Sequence, residues 1–155
     1  MGTPKIKGVF KMFKMTRVIQ QVLENADAAD AKLKVFTEES ETSSMVWLQF
    51  GIKNGGSYRI RFISRDDDND VAVRVFGLIS VDSEEQKAKV LPVLNRLNNE
   101  YRFIKFVMDK DGDVNLEYDY MADCPDPSAS ALEAVLRIVK MVDDTYPELM
   151  RAMWA

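Results

Sequence analysis

The apolar residues of this chain change period from one stretch to the next, and those changes divide it into helices and strands. From about Val9 to Ala29, Phe10, Phe13, Val18, Ile19, Val22, Leu23 and Ala26 recur near the helical period, and the small polar tract ADAADAK closes that helix. Residues 1–8, with Gly2, Pro4 and Gly8, form a loose lead-in. A short strand is expected over Leu33–Phe36, followed by an exposed loop, EESETSS. Strict alternation then sets in. Val46, Leu48, Phe50 and Ile52 share one face of a strand over Met45–Lys53, and Tyr58, Ile60 and Phe62 share one face of the next. Between them stand Asn54 and Gly55, residue types that accept the positive φ of a tight hairpin turn. A further strand runs over Val71–Val81, and its nearly continuous apolar end, VFGLISV, predicts burial on both faces.

Ser83 and Gln86 have the spacing of a capping box, and they open a helix that reaches about Asn99, with Val90, Leu94 and Leu97 on its buried stripe. Pro92 removes one backbone donor and should bend that helix near Ala88. Tyr101–Met108 and Val114–Tyr120 read as two strands joined through Asp109–Asp113. Ser130 and Glu133 repeat the capping-box spacing ahead of a last helix, whose stripe is Leu132, Val135, Leu136, Val139 and Val142; Pro147 either kinks it or starts a second segment. The order predicts one α+β domain over residues 1–155, with a largely antiparallel sheet of five or six strands packed against three helices.

Composition then narrows the chemistry. The 155 residues are 46% hydrophobic and 30% charged, which is ordinary for a globular chain able to bury a core. Lys and Arg total 21 against 25 Asp and Glu, so the net charge of −4 opposes broad attraction to nucleic acid. No apolar run is long enough to span a bilayer, the start lacks the apolar stretch of a secretory signal, and a single cysteine, Cys124, suits a reducing cytoplasm. Histidine is absent, which removes the usual general base near neutral pH and the commonest metal ligand.

Several acidic and amide clusters invite chemical readings that their spacing does not sustain. Asp109, Asp111 and Asp113 match the first three ligands of a calcium loop, but Val114 stands where that loop needs glycine and Tyr120 where it needs a bidentate acid. A hairpin turn with Gly112 at positive φ fits better. Asp66, Asp67, Asp68 and Asp70 read as a solvated hairpin tip. Asn95, Asn98 and Asn99 read as helix-end amides, and Cys124 has no histidine to activate it. Neither a metal nor a cofactor is called for.

If Leu48, Phe50, Ile60, Phe62, Ile104, Phe106 and Leu116 face the helices, then Trp47, Gln49, Arg59, Arg61, Arg74, Phe103, Lys105, Glu117 and Asp119 face the other way. Within that outer set Trp47, Arg59, Arg61, Arg74, Phe103 and Lys105 are the candidate partner-binding residues, since aromatics and arginines are enriched at interface hot spots. The competing reading pairs the arginines across strands with Glu117 and Asp119.

The segment LNRLNNEYRFIKFVMDKDGDVNLEYDY, followed by a helix ending in DDTYPELMRAMW, resembles the YbjN family over Met45–Trp154, most closely from Leu91 onward. The asparagine-containing helix end, the Tyr-Arg-Phe-Ile-Lys-Phe strand and the terminal Tyr-Pro-Glu-Leu-Met run occur in the expected order. The resemblance implies a fold similar to type III secretion chaperones and a small bacterial cytoplasmic protein of sensory or regulatory type, without an established enzymatic activity. A non-enzymatic binding or adaptor protein with a protein partner, itself a homodimer, is therefore the leading expectation. The alternatives are an enzyme using two carboxylates in a shared pocket, and a binder of membrane surfaces or acidic partners through Lys7, Lys11, Lys14 and Arg17.

Overall fold

A computed structural model describes residues 12–28, 31–65, 70–121 and 126–155. Lys7, Lys11, Asp66, Asp67, Asp68 and Cys124, weighed above, lie outside the described residues. The elements in order are α1 (Lys14–Glu24), β1 (Asp27–Ala28), β2 (Ala31–Lys32), β3 (Phe36–Glu39), β4 (Ser43–Gly51), β5 (Ser57–Arg65), β6 (Asp70–Ser80), α2 (Glu84–Glu100), β7 (Lys105–Met108), β8 (Asp113–Met121) and α3 (Pro127–Trp154). β1 and β2 form a small ladder of their own, and the remaining six strands form one antiparallel sheet in the order β3-β4-β5-β6-β8-β7. Among the described residues this is an α+β fold with three helices and a six-stranded sheet, as the periodicity predicts.

Alternation along β4 and β5 sends Val46, Leu48, Ile60 and Phe62 to a single face, where all four are buried. Val71, Val73, Val75, Leu116 and Phe106 extend that face across the sheet, and the helices cover it with Ile19 and Leu23 of α1, Val90, Leu94 and Leu97 of α2, and Ile138, Val142 and Leu149 of α3. Burying one such aliphatic or aromatic side chain contributes roughly 1.5–3 kcal/mol, so this layer is what orders the sheet. On its opposite face Arg59 and Lys105 are exposed, and Trp47, Arg61 and Arg74 are half-buried.

Helix boundaries follow their caps. Ser83 Oγ accepts the Gln86 amide at 3.1 Å and opens α2, while the Gln86 side chain returns to the Asp82 amide at 3.1 Å. α3 starts earlier than its Ser130 spacing predicts: Asp126 is the cap, accepting the Ala129 amide at 3.0 Å, and Pro127 occupies the first turn, where a missing N–H is no loss. Glu133 is engaged with Arg137 instead. Pro147 neither ends α3 nor starts a new segment, and the 28-residue helix runs through it.

Three strands differ from the expectation: β7 is confined to Lys105–Met108 rather than Tyr101–Met108, and β3 and β6 also depart from it. β3 lies over Phe36–Glu39 rather than Leu33–Phe36, and its last two residues run into the stretch whose polar residues predict a loop. β6 does not keep its apolar end buried on both faces. Its pairing with β8 shifts between Val75 and Ile79, Gly77 adopts φ +62°, and Phe76 stands 49% exposed beside buried Leu78 and Ile79. Asn115, buried opposite this bulge, accepts the Gly77 amide at 2.8 Å, so its side chain takes the place of the missing ladder partner.

Candidate functional site

Strand register brings four of the six candidate residues, Trp47, Arg61, Arg74 and Lys105, into one line. Phe36 of β3 lies opposite Trp47, Trp47 opposite Arg61, Arg61 opposite Arg74, Arg74 opposite Glu117, and Glu117 opposite Lys105, so a single transverse row crosses the whole outer face. The row has two ends of different character.

At the β3–β5 end the side chains form a layer of rings and cations. Phe36 stacks on Trp47 with centroids 4.2 Å apart and planes within 13°, Arg59 lies over the Trp47 ring at 4.1 Å, Arg61 lies over Phe76 at 5.4 Å, and Lys34 over Phe36 at 5.5 Å. A cation over a ring face is held by the ring quadrupole at about 0.5–1 kcal/mol on an exposed surface. Among the described residues no carboxylate lies within ion-pair distance of Arg59, Arg61 or Lys34. Partial burial, and next the neighbouring Arg59 guanidinium, push Arg61 below the ordinary arginine range, with Glu38 opposing them. Among the described residues this end thus gathers three cations, none in an ion pair, with Glu38 as a longer-range counter-charge to Arg61.

Toward β8 the arginine is spoken for. Arg74 meets Asp119 at 2.6 Å and Glu117 at 3.3 Å and also donates to the Val73 and Tyr118 carbonyls, so the cross-strand pairing reading holds for this residue. Lys105 turns to the end of α2, donating at 2.7 Å to the carbonyls of both Asn98 and Tyr101, which satisfies two of the acceptors a helix leaves open. Asn98, from the same turn, exchanges two hydrogen bonds with the Phe106 backbone, receiving its N–H at 2.7 Å and donating to its carbonyl at 2.9 Å. An amide side chain there imitates a neighbouring strand along the free edge of β7.

Phe103 departs from the outer set. β7 begins at Lys105, and Phe103 precedes it at φ +68° in a γ-turn closed by the Ile104 amide on the Arg102 carbonyl at 2.8 Å. That turn breaks the alternation and sends the ring to the helix side, edge-on to Tyr118 at 6.4 Å and beneath Arg137 of α3 at 5.4 Å. It lines a cavity of ≈ 460 Å³ with Ile104, Tyr118, Glu133, Ala134 and Arg137. A larger groove of ≈ 640 Å³ lies between α3 and the start of β3, walled by Leu33, Phe50, Leu132, Leu136 and Val139 with Asp143 and Asp144 at one end. Both of these acids are exposed, so they are not the shielded carboxyl pair that the enzyme alternative requires.

The turn at Asp109 is closed by its own hydrogen bonds. One Asp109 oxygen accepts the Asp111 amide at 2.9 Å and the Asp113 amide at 3.0 Å, the other accepts the Asn115 side chain at 3.3 Å, and Asp113 accepts the Ser80 hydroxyl at 2.6 Å. Among the described residues no group of three or more acids, cysteines or histidines is arranged to hold a metal, and no helix is long and apolar enough to cross a membrane.

Phe36, Phe76 and Lys34 belong to the ring-and-cation layer without having been singled out from the sequence. The alternation of Lys34 with Phe36 was a usable signal, whereas the exposure of Phe76 depends on a bulge marked only by Gly77.

Residues 18–150 match the family model YbjN, described as "Putative bacterial sensory transduction regulator". The chain belongs to the YbjN family. The match spans α1 from Val18 to the last turns of α3, so the YbjN assignment covers both faces of the sheet and the whole transverse row. Neither a curated protein nor a solved structure matches the chain. What YbjN membership carries over is regulation of the sensory type; it names no ligand and no partner.

Proposed function

We propose that this protein is a non-enzymatic, chaperone-like regulator that holds an acidic, aromatic-containing protein segment against the outer sheet face at its β3–β5 end. The observation that carries the reading is the layer of Phe36, Trp47, Arg59 and Arg61, in which two guanidiniums lie over rings and, among the described residues, form no ion pair. Aromatic and arginine side chains together supply large contact area with little entropy to lose, and an incoming carboxylate would find charge already in place. The YbjN description supports regulation rather than turnover, and the single cysteine of the sequence supports a reducing, cytoplasmic setting.

Trp47 reports on this face once the exposed Trp154 is replaced, so a Trp154→Phe background isolates its fluorescence. Titration with an extended peptide alternating Glu and Phe is expected to shift the emission saturably, and Arg59→Glu with Arg61→Glu to abolish the shift. A peptide alternating Lys and Phe should leave it unmoved. No shift with either peptide, or an equal shift with both, overturns the reading.

A further inference from the structure

The two edges of the sheet are treated differently. β7 is plugged by Asn98, whose amide occupies the Phe106 N–H and C=O. β3, the other terminal strand, has no such cover among the described residues. Which groups it offers follows from the ladder. Ser40 donates its amide to the Ser43 carbonyl at 2.8 Å, and in an antiparallel pair the bonded positions recur at every second residue, so Phe36 and Glu38 turn their backbone groups toward β4. Thr37 then presents its N–H and C=O to the open edge.

We infer that this edge, β3 together with Lys34 and Val35 just ahead of it, pairs with the same segment of a second copy, antiparallel and centred on Phe36, joining two six-stranded sheets into one. Side-chain chemistry selects both occupant and register. With Phe36 opposite Phe36 of the second copy, Lys34 lies opposite its Glu38 and Glu38 opposite its Lys34, giving two oppositely charged pairs around an aromatic pair on the outer face. Moving the centre to Thr37 sets Phe36 against Glu38, and moving it to Glu38 sets two carboxylates against each other, which is destabilising. The charges that discourage other strands at this edge are therefore matched by its own sequence. Since Phe36 stacks on Trp47 and Trp47 lies under Arg59, the junction would run the ring layers of the two copies together into one strip with an arginine at each end. An edge contact of this size makes a reversible dimer rather than a permanent one. It is independent of the peptide reading, which the Trp47 titration tests separately.

The position opposite itself across the two-fold axis is a non-hydrogen-bonded one, where Cα atoms approach to about 4.5 Å, within disulfide range. In a Cys124→Ser background, Phe36→Cys is expected to form an intermolecular disulfide under mild oxidation, and Arg59→Cys is not. Light scattering across the micromolar range should show concentration-dependent dimer for the native chain. Thr37→Pro, with unchanged circular dichroism, should weaken it at least about tenfold. Lys34→Glu and Glu38→Lys should each weaken it, and the double exchange should restore it. A native chain that stays monomeric and a Phe36→Cys chain that does not crosslink together overturn the inference. So does a dimer that survives Thr37→Pro, or one that crosslinks through Thr37→Cys and not through Phe36→Cys.

Discussion

Gly112 and Gly77 both lie in the left-handed region, at φ +86° and +62°, yet only one of them is hemmed in. A Cβ built on Gly77 meets nothing within 4 Å, whereas one on Gly112 collides with the Val81 carbonyl oxygen and lies 3.3 Å from its carbon and 3.6 Å from Lys87 Cε. Gly77→Ala should therefore show conformational strain alone, about 1–2 kcal/mol, part of which is offset by the reduced freedom of the unfolded chain. Gly112→Ala carries the same strain and must also move a backbone carbonyl. The Val81 amide donates to the Gly112 carbonyl at 2.9 Å, so that shift strains a hydrogen bond whose net value is about 1 kcal/mol, and overpacking adds about 1–3 kcal/mol. The sum is about 3–6 kcal/mol for Gly112→Ala, or a fall in Tm on the order of 10 °C for a chain of this length. Urea unfolding followed by circular dichroism, with both variants on the same day, measures the difference. Equal losses for the two substitutions would show that the Val81 contact does not govern this turn.

Two titrating groups give further tests. Partial desolvation works against ionised Asp109, but the Asp113 amide, the Asn115 side chain and the Asp111 and Gly112 amides outweigh it and hold the carboxyl below the usual aspartate range. A depressed carboxyl contributes stability that is complete above the unfolded value, about 3.9, and lost as pH falls through the folded one. The urea midpoint of Asp109→Asn should therefore fall less steeply with acid than that of the native chain, and parallel acid limbs would refute the assignment. Tyr58 is buried with a hydroxyl that finds no hydrogen-bond partner among the described residues, and desolvation, then Asp143, push its pKa far above the ordinary tyrosine value. Its neutral form is the one the fold accepts, so stability holds below about pH 10 and declines as pH rises toward the folded value. Tyr58→Phe is expected to leave stability at neutral pH unchanged or to raise it by up to about 2 kcal/mol and to flatten the alkaline decline; a loss of more than about 1 kcal/mol at neutral pH would reveal a partner for that hydroxyl.

Much of the architecture was legible because one face of each long strand is buried and the other is not. The alternation in Met45–Lys53 and Tyr58–Phe62 places Leu48, Ile60 and Phe62 in the core, where they lie. β3 was displaced because an edge strand open to solvent has no apolar alternation to show: Thr37 and Glu38 are both exposed. Periodicity places Phe103 on the wrong face because it counts residues through a γ-turn as though the strand continued. Spacing alone marks Lys105 as a surface cation and Asn98 as a helix-end amide. Their actual partners, the α2 carbonyls and the Phe106 backbone, are set by how a helix end meets a strand, and no local spacing encodes that.

Asn98 also bears on the valence of the sheet. With Phe106 of β7 already bonded to a side chain of the same molecule, a strand adding at that edge would first have to displace Asn98, so among the described residues backbone pairing is favoured at the β3 side. A molecule with a single sticky edge stops growing after one addition, whereas two such edges permit open-ended fibres. Two hydrogen bonds at one amide thus weight the sheet toward pairing at a single edge.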